Sequence, residues 1–319
     1  MTRSDVHPLT AAGCEELAAL GRSGLDESRH LGAVAGGYVR GPTLETIGGR
    51  AAAVYPRSSL KPFQASVAIA HGARLDPVQR VLACASHAGT DRHVAVVART
   101  LAGAGLDASY LGCPAAAALD QVTAATASPS RVRMNCSGKH AAFLAACVAA
   151  GWDAASYLDP EHPLQRAVLT DVERLCDEPV LHTGVDGCGA PALALTLPGV
   201  ARGAARLLGP SGTSTLVADV REHPWAIDGP GRANTRTIEV AGAFAKAGAE
   251  GFLLVVAPDG TSVAVRVLDG SQRVTTLVAL QLLVRVGALP PEPVGRVLAE
   301  LAPPALGGDR AVGTWRLLV

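Results

Sequence analysis

Strand-forming segments lie at both ends of this chain with a long helical block between them, and that order limits the folds open to it. Near the C-terminal end, Gly251 to Ala257 and Ser262 to Leu268 are apolar runs joined by Pro258-Asp259-Gly260. That pattern predicts a hairpin, followed by an apolar helix from Thr275 to Gly287. Near the other end, His30 to Arg40 is apolar and glycine-rich. It ends at Gly41-Pro42, and with Thr43 to Gly48 it reads as a second hairpin, with a third strand at Ala51 to Val54. Between these regions the spacing predicts helices opening at Asp76-Pro77, Asp91, Ser137-Gly138 and His162-Pro163, with shorter ones over Gly199 to Leu208 and Gly212 to Val220. One sheet built from both ends of the chain, with a helical part inserted, satisfies this order. The expectation is one α+β unit over 1–319, an antiparallel sheet flanked by helices. The sheet part comprises about 1–75 and 180–319, and the helical part about 76–179.

Composition narrows the function classes. With 28 basic and 28 acidic residues the formal charge is zero, and no basic run stands out, so nucleic acid and anionic membranes are not expected partners. No signal-peptide pattern and no membrane-length apolar run is present, so the expected compartment is the cytoplasm. Seven cysteines without scaffold-like spacing fit a reducing interior. Aromatic residues make up 3% of a chain that is 49% hydrophobic, so the core must be packed largely with Ala, Val and Leu.

Four stretches carry residue types suited to chemistry. In Arg57-Ser58-Ser59-Leu60-Lys61-Pro62, a serine stands three residues before a lysine. A serine hydroxyl attacks only when a base takes its proton, and a lysine serves if desolvation or nearby positive charge leaves it neutral. Pro62 forces the helix to start close to Lys61, placing both groups near the positive end of its dipole. The same spacing also describes an N-cap serine followed by a surface lysine. Ser86-His87-Ala88-Gly89 closes a predicted helix, where Ser86 could pass a proton, or the pair could simply cap. In Asn135-Cys136-Ser137-Gly138-Lys139-His140, a cysteine at a helix start beside a lysine is biased toward thiolate. Asp186-Gly187-Cys188-Gly189 supplies a second cysteine in a tight loop, and a carboxylate able to hold an ammonium group. Two thiolates could bind zinc, but the usual ligand spacings are absent, and two buried structural cysteines remain an alternative.

Taken together, Arg57-Ser58-x-x-Lys61-Pro62-x-Gln64, Ser86-His87-x-Gly89, Asn135 to His140, Gly184-x-Asp186-Gly187-Cys188-Gly189, Arg236-Thr237 and Lys246 to Gly251 resemble the type II L-asparaginase family of the inducible rhizobial kind. The matches run in family order from about His30 to the Ala311-Val312-Gly313 stretch. The resemblance implies a fold like that of serine β-lactamases and glutaminases, and hydrolysis of L-asparagine to L-aspartate and ammonia. It implies Ser58 as nucleophile, Lys61 as its activator, Ser86 as relay, and Arg57, His87, Asp186 and Arg266 around the substrate. It also implies zinc on Cys136, Lys139 and Cys188, and a homodimer. One departure is expected to matter: aligned on the late hairpin, the family's second catalytic lysine falls on Arg266. An arginine, with a pKa above about 12, cannot act as a base. A glutaminase or another amidase on the same scaffold, an idle zinc- or amino-acid-binding homologue, and a thiol redox enzyme therefore stand as alternatives.

Overall fold

The computed structural model describes residues 6–37, 46–210, 212 and 215–319. The strands are β1 (Glu15–Arg22), β2 (Leu25–Gly37), β3 (Ala53–Val54), β4 (His182–Val185), β5 (Pro191–Thr196), β6 (Phe244–Gly248), β7 (Phe252–Val256), β8 (Ser262–Val267), β9 (Ala305–Gly307), β10 (Arg310–Gly313) and β11 (Trp315–Leu317). The helices are α1 (Lys61–Ala70), α2 (Pro77–Cys84), α3 (Asp91–Gly103), α4 (Gln121–Thr126), α5 (Ser137–Ala150), α6 (Pro163–Cys176), α7 (Leu197–Leu208), α8 (Leu216–Glu222), α9 (Ala233–Arg236), α10 (Thr275–Arg285) and α11 (Pro291–Leu301). Among the described residues no helix is long and apolar enough to cross a membrane.

One six-stranded sheet runs in the order β11-β1-β2-β8-β7-β6, with every recorded pairing antiparallel. Both chain ends build it, as the order of segments requires, and α2 to α6 are threaded between. The fold is thus α+β, an antiparallel sheet flanked by helices with a helical block inserted. β7 is buried at every position and β8 at all but one. Helix α7 packs on β2 and β8, and α10 packs on β7 and β8. The late hairpin, β7 to β8, and the helix after it form as the apolar runs predict.

The N-terminal hairpin differs from expectation. The first part of β2, Leu25 to Gly32, pairs with β1, a strand whose apolar stretch Leu17 to Leu20 the sequence reading passed over. The chain reverses at Ser23-Gly24, where both residues take positive φ (49° and 91°). Of the expected hairpin, the end of the first arm, the turn and the start of the second arm (38–45) lie outside the described residues, while Ile47 forms an isolated bridge with Val34. β3 does not join the main sheet. It pairs with β5 in a separate three-stranded sheet of order β3-β5-β4. The expected helix at Gly212 to Val220 begins later, as α8.

Helix α5 lies at the centre of the helical block, against α1, α2 and α3. Its residues Ser137 to Cys147 are all buried, as for a helix covered on every side. Close approach to α2 depends on Gly138: a methyl group there would stand 2.4 Å from the Leu82 carbonyl oxygen. That carbonyl is backbone and cannot swing aside. Gly138→Ala is therefore expected to cost about 1–3 kcal/mol through overpacking. The midpoint of urea unfolding measures the loss, and an unchanged midpoint contradicts it.

Candidate active site

Four chain segments converge beside β6, the last strand of the main sheet. They are the 3₁₀ turn Arg57–Leu60 that leads into α1, the residues just after α2, the start of α5, and β6 itself. The turn opens on strained backbone, since Arg57 takes φ 52°, a left-handed conformation costly for a residue with a Cβ. Two contacts hold it there. Arg57 Nε and Nη2 both donate to Asp186 Oδ1, at 2.9 and 2.7 Å, and Ser59 Oγ donates to the Lys246 carbonyl at 2.6 Å. The turn also needs a bare backbone on β6, because a Cβ at Gly248 would meet the Pro56 carbonyl at 2.1 Å.

A cleft of about 430 Å³ is lined by Ser58 and Ser86. Ser86 Oγ stands between two amines: Lys246 Nζ at 2.8 Å and Lys61 Nζ at 3.1 Å. Lys61 Nζ also donates to the carbonyls of Ala85 and Asn135. Among the described residues no hydrogen bond engages Ser58 Oγ. Lys61 thus touches the second serine, and the first lines the same cleft.

Lys246 is fully buried. Burial, and then the charge of Lys61, pulls its amine from the ordinary 10.5 down to about 7. A base of that strength is half neutral near physiological pH. The sequence reading matched Lys246 only as part of a motif and placed the second lysine's role at Arg266. That expectation is corrected here. Arg266 lies on β8, its charge facing Glu250, Arg57 and Asp269, and it does not line the cleft. The signal for Lys246 was present in the sequence. The chain has three lysines, Lys61, Lys139 and Lys246, and its other 25 basic residues (28 less 3) are arginines. All three lysines are at most 2% exposed. Only a lysine gives up its proton when buried, so this distribution marks the positions where an arginine would not serve.

His87 does not reach the cleft either. It is fully buried, with Gly89 N donating to Nδ1 at 3.1 Å, which leaves Nε2–H to donate to Ser137 Oγ at 2.8 Å. Its ring stacks on His93, and burial, with His93 and Lys61 nearby, drives its pKa well down. It is a neutral brace joining the Ser86 segment to α5. Arg57 and Asp186 are paired with each other beside the cleft and do not line it. Burial acts to raise the Asp186 carboxyl, but the Arg57 hydrogen bonds and the Lys139 charge outweigh it and hold the pKa below the ordinary range. Asn135, the first residue of the Cys136 motif, lines the wall, and Asp228, Arg232 and Asn234, which the sequence did not single out, complete it.

Cys136, Lys139 and Cys188 do come together. Lys139 Nζ donates to Cys188 Sγ at 3.2 Å. A hydrogen bond from Cys188, against the cost of burial, and the charges of Lys61 and Lys139 favour the Cys136 thiolate. Burial acts against the charge of Lys139, yet the two sulfurs and Asp186 raise its pKa overall. Among the described residues no three His, Cys, Asp or Glu side chains are grouped to hold a metal. A metal here would therefore need the lysine amine as its third donor. Two sulfurs and an amine that gives up its proton to the metal make a donor set that suits zinc.

The L-asparaginase II family model matches residues 18–317. No curated protein matches the chain. Among solved structures, the chain is similar to a β-lactamase from Mycobacterium bovis at 19% identity and a TM-score of 0.45, covering 85% of this chain and 94% of that one.

The buried amine of Lys246 has a measurable cost. Between about pH 7 and 10.5 the unfolded lysine holds a proton that the folded one lacks, so stability rises with pH across that window. Lys246→Met is expected to raise Tm at neutral pH and to flatten that rise. Thermal unfolding from pH 7 to 10 checks both, and a lower Tm in the variant contradicts the account.

Proposed function

Since this chain belongs to the L-asparaginase II family, we propose that it hydrolyses the side-chain amide of L-asparagine to L-aspartate and ammonia. The observation that carries this reading is Ser86 Oγ held between two buried lysine amines, one of them brought to about pH 7, in the same cleft as Ser58.

Ser58 Oγ attacks the amide carbon, and its proton passes through Ser86 Oγ to the neutral amine of Lys246. The Lys246 ammonium then returns the proton to the departing nitrogen, so ammonia leaves and an aspartyl ester remains on Ser58. Water attacks that ester, giving its proton to the same relay, and aspartate is released with Ser58 restored. Lys61, which the resemblance makes the activator, instead fixes Ser86 through its hydrogen bonds, and its charge favours the neutral form of Lys246. Cys136, Lys139 and Cys188 would hold zinc, which would supply positive charge beside the cleft and help position substrate. The idle-homologue reading loses its motive, because it rested on a missing lysine and Lys246 stands beside Ser86.

Three outcomes follow. Purified protein releases ammonia from L-asparagine, with L-glutamine run in parallel to set the preference, and Ser58→Ala reduces the rate by about 10³-fold or more. Activity near that of the unaltered chain in Ser58→Ala removes the nucleophile assignment. The kcat/KM profile climbs as pH rises through about 7, because the relay needs Lys246 neutral. A profile flat from pH 6 to 9 contradicts that. Zinc measured by plasma mass spectrometry is stoichiometric in the unaltered chain and lost in Cys188→Ala, and full retention by the variant refutes the ligand set.

A further inference from the structure

The cleft wall beyond the two serines carries two full charges among the described residues, one of each sign: Asp228 and Arg232. They are held differently. Asp228 is 6% exposed and locked in place. Its Oδ2 accepts from Asn234 Nδ2 at 2.9 Å and from Asn234 N at 3.4 Å, and its Oδ1 accepts from Arg232 Nε at 2.5 Å. The Asn234 side chain in turn accepts from Ala247 N at 2.9 Å, next to Lys246. The buried carboxylate is thus pinned to the strand that carries the catalytic amine. A carboxylate offers about four lone-pair sites, and three donors leave one for a further N–H.

Arg232 is the outer member, its side chain 41% exposed. Only Nε is engaged by Asp228, and among the described residues neither Nη1 nor Nη2 makes a hydrogen bond. An arginine with both terminal nitrogens free presents a planar pair of donors matched to a carboxylate. The arrangement is a fixed acceptor for a cation beside an open fork for an anion, both on the wall of the cleft that holds the nucleophile.

We propose that Asp228 and Arg232 form a subsite for the α-ammonium and α-carboxylate of a free amino acid, with Asp228 taking the ammonium and Arg232 the carboxylate. It rests on the amide-hydrolase reading of the cleft and adds the class of amide accepted. A free zwitterionic amino acid bearing the amide on its side chain is taken, while the same amide within a peptide, or with its α-amine acylated, is rejected. Burying a charged ligand end against an uncharged wall leaves it unpaired, and a ligand without an α-carboxylate leaves the free terminal nitrogens of Arg232 covered and without an acceptor.

Calorimetric titration of the full chain carrying Ser58→Ala tests this without turnover, using L-asparagine, N-acetyl-L-asparagine and L-asparagine amide as probes. L-Asparagine is expected to bind roughly 10–100-fold more tightly than either blocked compound. Adding Asp228→Asn, which preserves shape, weakens L-asparagine to the level of the N-acetyl compound and leaves the latter unchanged. Adding Arg232→Lys, which keeps the charge and loses the fork, weakens L-asparagine and not its α-amide. Equal binding of all three probes, no binding of L-asparagine, or an equal loss for all probes in both variants overturns the subsite. Ammonia release by the unaltered chain separates the two readings. If the binding pattern holds but no ammonia appears, the hydrolase reading falls and the subsite stands. If ammonia appears without the pattern, the subsite alone falls.

Discussion

The site depends on one electrostatic constraint: three lysine amines are buried, and among the described residues none has a carboxylate within 4 Å. Taking an ammonium out of water without a counter-charge costs several kcal/mol, so each group must find another resolution. Lys61 takes two backbone carbonyls and a serine hydroxyl. Lys139 sits against two sulfurs that favour one thiolate. Lys246, left with Ser86 and the Ala247 carbonyl, yields its proton. The division of labour among three chemically identical side chains follows from what surrounds each one.

The fold creates those surroundings by bringing distant parts of the chain to one strand edge. β6 ends the main sheet, so its outer side is free to meet the 3₁₀ turn and the Asn234 amide. Lysine and serine are contributed by segments 160 residues apart in sequence. The bracing groups act at one remove: His87 ties the Ser86 segment to α5, and Arg57–Asp186 holds strained backbone at the turn. The strain and the desolvation are both offset by an Ala- and Val-rich core of close-packed helices, in which glycines such as Gly138 and Gly248 permit contacts that a methyl group would block.

Local chemistry was legible in the sequence, and long-range placement was not. The late hairpin, α1, α2, α3, α5 and α6 follow from apolar periodicity, capping residues and prolines, which act within a few residues. The partner of β2 did not follow, because β1 is mixed with charged residues and its pairing is decided by tertiary contact. The serines, Cys136, Lys139 and Cys188 were found because each sits in a short motif. Lys246 was misjudged because nothing local to β6 records that it faces Ser86. Asp228 and Arg232 carry no motif at all, and only folding places them on the cleft. His87 shows the opposite error: a polar residue next to Ser86 in the chain is buried, with both ring nitrogens hydrogen-bonded.

The central claim, that one lysine of the three is a neutral base near physiological pH, can be read directly. Nuclear magnetic resonance of the chain labelled in its lysine side chains gives three signals to follow, one per lysine, and a Lys246→Arg variant identifies the one that matters. The account predicts that the Lys246 signal titrates at about 7. A Lys246 amine that keeps its proton up to the range of an ordinary exposed lysine would contradict it, and with it the relay through Ser86.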